Sequence, residues 1–182
     1  MPFKIIRNDI TRVKADAIVN TANIHPVVGG GTDTAIYNAA GKEKLFAARE
    51  LIGDIEPGQA RETAAYNLNA KFIIHTVCVP WNGGNSNELN ILADCYRNSL
   101  KLALELNCKS IAFPLIGTGV FGIPYDKALN IANININMPI RTILEEGIID
   151  EKVCGVVINP FGDFMPLPKD ILKIILDIKE GK

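Results

Sequence analysis

Residues 20–41, NTANIHPVVGGGTDTAIYNAAG, gather three asparagines, four glycines and one aspartate between an apolar, strand-like run and an alanine-rich, helix-like run. Glycine loses more backbone freedom on folding than any other residue, so a run of three is costly where a chain only has to turn. Gly29, Gly30 and Gly31 therefore predict a loop lying close against something, with Asp33 two residues beyond it. A carboxylate there could cap the first turn of the following helix, or it could act on whatever the loop holds. A second glycine segment, GTGVFG at 117–122, again lies between an apolar run and a helical pattern. Successive backbone N–H groups at a strand-to-helix turn form an anion-binding concavity, helped by the helix N-terminus. Two such loops would suit the two sides of a diphosphate, and structural turns are the alternative.

Other chemistries find less support. Only two histidines occur, His25 and His75, 50 positions apart, so no metal site is expected. Four cysteines (Cys78, Cys95, Cys108, Cys154) form no CxxC pair, and Cys78, Cys95 and Cys154 fall in apolar patterns where a free thiol packs as a small core residue. GTGVFG fits the dinucleotide fingerprint GxGxxG to the letter, but it comes after several strands rather than the first. The next strand ends in Asn159 instead of the acidic residue such a site needs. A nicotinamide-type site is therefore not supported.

The elements that must position these loops follow from periodicity. Strands are predicted at 3–7, 16–20, 60–67, 71–79, 109–116 and 152–159. Helices are predicted over 32–53, broken near Gly41 and with Thr32 as N-cap, over 86–107, and from about Pro124 into an Asn-rich stretch kinked by Pro139. In the 86–107 helix Leu89, Leu92, Tyr96, Leu100 and Ala103 share one face. Continuous apolar strands alternating with helices imply an α/β fold, a three-layer α/β/α sandwich with a mixed, mostly parallel central sheet. Antiparallel pairing is expected where no helix intervenes, between the first two strands and between 60–67 and 71–79. The boundaries are one domain over 1–162 and an amphipathic helical tail over 163–182.

The 182 residues carry a net charge of −1, with 48% hydrophobic and 21% charged residues. That composition suits one soluble domain without a broad basic field, so neither nucleic acid nor membrane is expected as a partner. The early charges in MPFKIIRND argue against a secretory signal, and the expected setting is cytoplasmic and reducing.

Taken together, NDITRVKADAIVNTAN, GGGTDTAIYNAAG, KFIIHTVCVPW and SIAFPLIGTGVFGIP resemble the macro domain family, binders and hydrolases of ADP-ribose, along nearly the whole chain to about residue 160. The resemblance implies the macro domain fold, ADP-ribose or ADP-ribosylated proteins as partners, and no cofactor. It implies that Asp9 accepts from the adenine amino group, beside the Ile10 amide, with turn capping by Asp9 as the alternative. Asn20 and Asn23 would follow a buried strand, the second positioning the distal ribose. Gly30, Gly31, Gly117, Thr118, Gly119 and Val120 would wrap the diphosphate. Phe121 would cover the ribose or serve as a core aromatic, and Phe161 would stack on adenine. In the hydrolytic, MacroD-like branch, an aspartate matching Asp33 orients water at the anomeric carbon, without metal, so Asp33 and Asn23 are the expected catalytic pair. The expected activity is cleavage of ADP-ribosyl esters, on Asp or Glu side chains or in O-acetyl-ADP-ribose, with a non-catalytic ADP-ribose reader as the alternative. The chain departs from the pattern at Asn8, where positive φ would excuse the lost glycine, and at Val28, Tyr37, Cys78 and Val79. At Gly117, glycine in place of serine would loosen a loop.

Overall fold

The computed structural model describes residues 3–137 and 154–158. Its elements follow in the order β1 (Phe3–Arg7), a 3-10 turn (Ile10–Arg12), β2 (Ala17–Thr21), α1 (Thr32–Ala40), α2 (Lys42–Ile52), β3 (Ala60–Ala64) and β4 (Phe72–Thr76). Then come α3 (Glu88–Glu105), β5 (Ile111–Pro114), α4 (Tyr125–Ala132), one π turn (Asn133–Asn137) and β6 (Cys154–Ile158). The strands form one six-stranded sheet in the order β1-β6-β5-β2-β4-β3, parallel throughout except for β3 against β4.

The mixed sheet is as expected, and β3 does pair antiparallel with β4. The first two strands do not pair. β1 lies at the sheet edge beside β6, and β2 lies between β5 and β4. Between the two strands, the 3-10 turn packs against α1 and β5. Gly41, with φ 101°, separates α1 from α2 as predicted. The α1 N-cap is Gly31 rather than Thr32, which starts the helix itself. Asn8 is not in the left-handed region. Its Oδ1 instead accepts from the Asp9 N–H at 2.9 Å. The Pro139 kink, Phe161 and the 163–182 tail lie outside the described residues.

Alternation along the strands decides which side chains meet. Ala17, Val19, Ile74, Ile111 and Phe113 face one way, into a core shared with Leu92, Cys95 and Tyr96 of α3 and Ala128 and Leu129 of α4. Ile18, Ile73 and Ala112 face the other way, against Ile36, Tyr37, Ala40 and Leu45 of α1 and α2. Full burial of each such aliphatic or aromatic side chain contributes about 1.5–3 kcal/mol, and the two layers clamp the sheet from both sides. On the helix α3 face, Leu92, Tyr96 and Ala103 are buried, with Leu89 and Leu100 packed beside them. Cys78 and Cys95 are buried free thiols, as their apolar settings imply, and so is Cys108.

Parity has one further result. Asn20 shares the orientation of Ile18, and His75 that of Ile73, so both point into the α1/α2 layer rather than the larger core. In the parallel β2–β4 ladder Asn20 is the direct partner of His75. Two polar side chains thus stand side by side at the carboxyl ends of buried strands, directly beneath α1.

Candidate functional site

The parallel strands deliver their carboxyl ends to one edge. There β2 opens into the 22–31 loop, β5 into the 115–124 loop, and β1 into the turn at Asp9. β2 and β5 are neighbours, and their following chains run to opposite sides of the sheet, β2 towards β4 and β5 towards β6. Ligands of open α/β sheets bind at such a switch point.

Asp33 is the centre of the arrangement. Its Oδ1 accepts from Asn20 Nδ2 at 2.6 Å and its Oδ2 from the Gly29 N–H at 2.6 Å. The carboxylate therefore turns away from the α1 backbone, and helix capping is not its role. Nor is it open to solvent at the start of α1. Only 3% of the residue is exposed, because the Gly29 backbone folds over it. Burial raises its pKa above the usual carboxylate range, against the opposing effects of the Asn20 and Gly29 hydrogen bonds and the Arg49 charge. Beneath it, Tyr37 is buried, and its phenol is pushed up to about 12 by desolvation and then by the Asp33 charge.

The loop over Asp33 is held from two sides. Asn23 Nδ2 donates to the Val27 carbonyl at 3.0 Å, and a Cβ on Gly29 would come within 2.7 Å of that same nitrogen. A side chain at 29 would therefore push the Asn23 amide off the Val27 carbonyl. From below, Arg49 of α2, 1% exposed, donates through Nη2 to the carbonyls of Asn23 at 3.0 Å and Ile24 at 2.9 Å, and through Nη1 to that of Gly53. Sequence reasoning missed Arg49. The available signal was its spacing, since Leu45, Arg49 and Ile52 lie on one face of α2, placing a cation at a core position.

On the other loop, Tyr96 of α3 accepts the Ile116 N–H at 3.1 Å and anchors the exit of β5. Thr118 Oγ1 donates to the Leu115 carbonyl at 2.9 Å, and the Ile123 N–H closes back onto the Gly117 carbonyl at 2.9 Å. Gly117 has φ 82°, and a Cβ there would lie 2.5 Å from Ile123 Cδ1 and 3.5 Å from Cys78 Sγ. Its glycine does not loosen the loop, as the sequence suggested, but permits its tightest turn. Val120 projects outward, 91% exposed, whereas Phe121 packs on the core and accepts the Trp81 N–H through its carbonyl at 2.7 Å.

Gly30 and Gly119 are different. Neither has positive φ, and a Cβ on either would meet nothing within 4 Å. Neither backbone conformation nor packing inside the chain calls for glycine there. Both face open space on loops that leave adjacent strands.

Asp9 caps the 3-10 turn, its Oδ1 accepting from the Thr11 N–H at 2.9 Å and Thr11 Oγ1 at 2.8 Å, with Arg12 Nε 3.7 Å from Oδ2. Ile10 buries its side chain completely. The structure thus brings together Asn20 of β2, Asn23 and Gly31 of the loop that follows it, and Asp33 in the first turn of α1. It sets Gly117, Thr118 and Val120 on the next and Asp9 at the same sheet edge.

A family model described as Macro domain matches residues 19–132. The chain belongs to the macro domain family. Among similar proteins, a macro domain-containing protein of Chlorobaculum tepidum is 53% identical over 127 residues, which span 70% of this chain and 73% of that one. An O-acetyl-ADP-ribose deacetylase of Citrobacter rodentium is 51% identical over 131 residues, 70% of this chain and 74% of that one. The Oceanobacillus iheyensis macrodomain solved with ADP superposes with a TM-score of 0.77 at 33% identity, covering 97% of this chain and 89% of that one. A mutant of it solved with ADPR gives 0.79 at 34% identity, covering 98% and 93%. In this macro domain the literal GxGxxG is accordingly a macro-type loop after β5, not a dinucleotide fingerprint after a first strand.

Proposed function

We propose that this macro domain binds ADP-ribose and hydrolyses its esters, either O-acetyl-ADP-ribose or mono-ADP-ribosylated Asp and Glu side chains. The observation that carries the binding is the pair Gly30 and Gly119, whose missing side chains serve nothing inside the protein. They leave room for a diphosphate to reach backbone N–H groups on both loops, which a protein of net charge −1 needs in place of a cationic pocket.

Asp33 supports the hydrolysis. A carboxylate next to a diphosphate loop opposes phosphate binding, yet Asn20 and Gly29 hold this one in place. In a protein-linked ester, the bond that breaks joins the anomeric carbon to a carboxyl oxygen. Water supplies hydroxyl to the ribose, Asp33 takes the water's proton, and the amino-acid carboxylate leaves. The oxocarbenium-like charge that develops is favoured by a nearby anion. Lifting Gly29 toward the diphosphate frees Oδ2 for the water, and Asn23, on the same loop, moves with it to the distal ribose.

The second reading, a non-catalytic reader, has its own observation. Both Asp33 oxygens already accept hydrogen bonds, as they would in a purely structural clamp. One experiment separates the two. The protein is titrated with ADP-ribose and AMP by calorimetry and incubated with O-acetyl-ADP-ribose and with a protein mono-ADP-ribosylated on acidic residues. Tight 1:1 binding of ADP-ribose with release of ADP-ribose or acetate supports the enzyme. The same binding with no release supports the reader, and equal affinities for ADP-ribose and AMP refute both.

A further inference from the structure

Asn20, His75 and Thr63 project from β2, β4 and β3, three adjacent strands, into the layer beneath α1, and none is more than 8% exposed. They form a continuous chain to the carboxylate. Thr63 Oγ1 lies 3.0 Å from His75 Nε2, His75 Nδ1 lies 3.2 Å from Asn20 Nδ2, and Asn20 Nδ2 donates to Asp33 Oδ1 at 2.6 Å. His75 is fully buried on β4, a position that would ordinarily take an apolar side chain.

Such a chain can run in two directions. In the first, Nε2–H donates to Thr63, the bare Nδ1 accepts from the Asn20 amide, and the amide donates to an ionised Asp33. In the second, Thr63 donates to Nε2, Nδ1–H donates to the Asn20 oxygen, and that oxygen accepts from a protonated Asp33. A neutral imidazole offers one donor and one acceptor, so its tautomer selects the direction. The geometry takes the first direction. Asn20 Nδ2 faces both Asp33 Oδ1 at 2.6 Å and His75 Nδ1 at 3.2 Å, so the amide donates to each. The Gly29 N–H is compatible with either direction, since Asp33 Oδ2 accepts from it whether or not Oδ1 carries a proton.

We propose that Thr63 and His75 are positioning residues. Thr63 fixes the Nε2–H tautomer of His75, the tautomer fixes the amide orientation of Asn20, and Asn20 thereby keeps Asp33 as an acceptor for water. The proposal rests on the hydrolase reading for its consequence but not for its geometry. Among the described residues, few charged and titratable groups act on this chain. Tyr37 and Asp33 lie on α1, Arg49 on α2 acts on both Asp33 and His75, and Asp54 beyond α2 acts on Arg49. The Arg49 charge and burial keep His75 neutral, so tautomer and not charge is the variable.

The test combines nitrogen and carbon NMR with kinetics. In histidine-labelled wild type, His75 should carry its proton on Nε2 across the neutral range. Thr63→Val removes the acceptor for that proton. It should mix the tautomers, raise the Asp33 carboxyl titration midpoint and lower kcat about tenfold, the size of one buried hydrogen bond. KM and ADP-ribose affinity should not move, and Thr63→Ser should restore all three changed quantities. A wild-type His75 protonated on Nδ1 overturns the proposal, as does a Thr63→Val protein with unchanged kcat and Asp33 midpoint. If wild type releases nothing from any ester, the hydrolase reading falls alone, and the tautomer with the Asp33 midpoint still decides the chain. Should Thr63→Val not fold, the wild-type tautomer and Thr63→Ser decide it.

Discussion

The Gly29 N–H donates to Asp33 Oδ2 at 2.6 Å, so the backbone of the first glycine run lies over the carboxylate. On the function proposed above, ligand contact at that backbone and exposure of Asp33 would be one movement. Any change that strengthens the Gly29–Asp33 bond should slow turnover without changing what the pocket recognises.

Asp33→Asn tests this coupling without leaving a cavity. The amide keeps the shape but not the charge, so it cannot take a proton from water. Ester hydrolysis should fall about 10²–10⁴-fold, the usual contribution of a positioned acid–base residue. ADP-ribose affinity, measured by calorimetry, should stay equal or improve slightly, since a negative charge beside the diphosphate is gone. Full activity in the folded variant would remove Asp33 from the mechanism.

His75 predicts a stability–pH profile. Burial, then the Arg49 charge, push it down from 6.5 to about 3. Below pH 6.5 the unfolded chain binds a proton that the native state refuses. Stability from this group is thus complete above pH 6.5 and lost as pH falls toward about 3, at up to about 1.4 kcal/mol per pH unit. Asp33 has the opposite sign. Its raised pKa favours the native state below the ordinary value of 3.8 and gives that preference up as pH rises through the raised value. His75→Gln removes only the first effect, so its Tm should fall less steeply than that of wild type between pH 6.5 and 4. Parallel slopes would show that His75 is not held neutral.

Arg49→Met leaves the carbonyls of Asn23, Ile24 and Gly53 without their shared donor. Losing hydrogen bonds to a charged group should cost at least about 2 kcal/mol, or about 4–8 °C in Tm for a protein of this size. ADP-ribose affinity should fall as well, because Asn23 is then held only through its side chain. An unchanged Tm by calorimetry would contradict the Arg49 geometry.

Gly117→Ser puts back the residue common in the family. At φ 82°, and with Ile123 Cδ1 in the way, the change should destabilise by about 1–3 kcal/mol. Adding Ile123→Val should recover the clash but not the backbone strain. Denaturant midpoints of the single and double variants separate the two, and a neutral single variant would show that the loop has another accessible turn.

Much of this was legible along the chain, and what was not has a common cause. Apolar runs and glycine punctuation are local signals, so the strands, the Gly41 break and both loops could be read in sequence. The edge position of β1 could not, because it depends on β6, far along the chain. Asp33 was visible as a candidate beside its glycines, but its burial was not, since that depends on where the Gly29 backbone and Asn20 arrive. His75 read as one more residue of a buried strand. Its role depends on pairing with Asn20 on one side and Thr63 on the other, and separation in sequence hides both.

The sheet order also has a consequence for assembly. Asn20, Asp33, Thr63 and His75 all lie between Ala17 and Thr76, in a stretch that supplies β2, α1, α2, β3 and β4, and β2, β4 and β3 are adjacent in the sheet. Contacts close in sequence form early because little loop entropy opposes them. The polar row can therefore set before β5 brings the second glycine loop, and before β1 and β6 complete the edge. Amides of β2 and β4 should then gain protection ahead of those in β1 in pulsed hydrogen exchange, so that the half of the site holding Asp33 is built first and the second glycine loop is added afterwards.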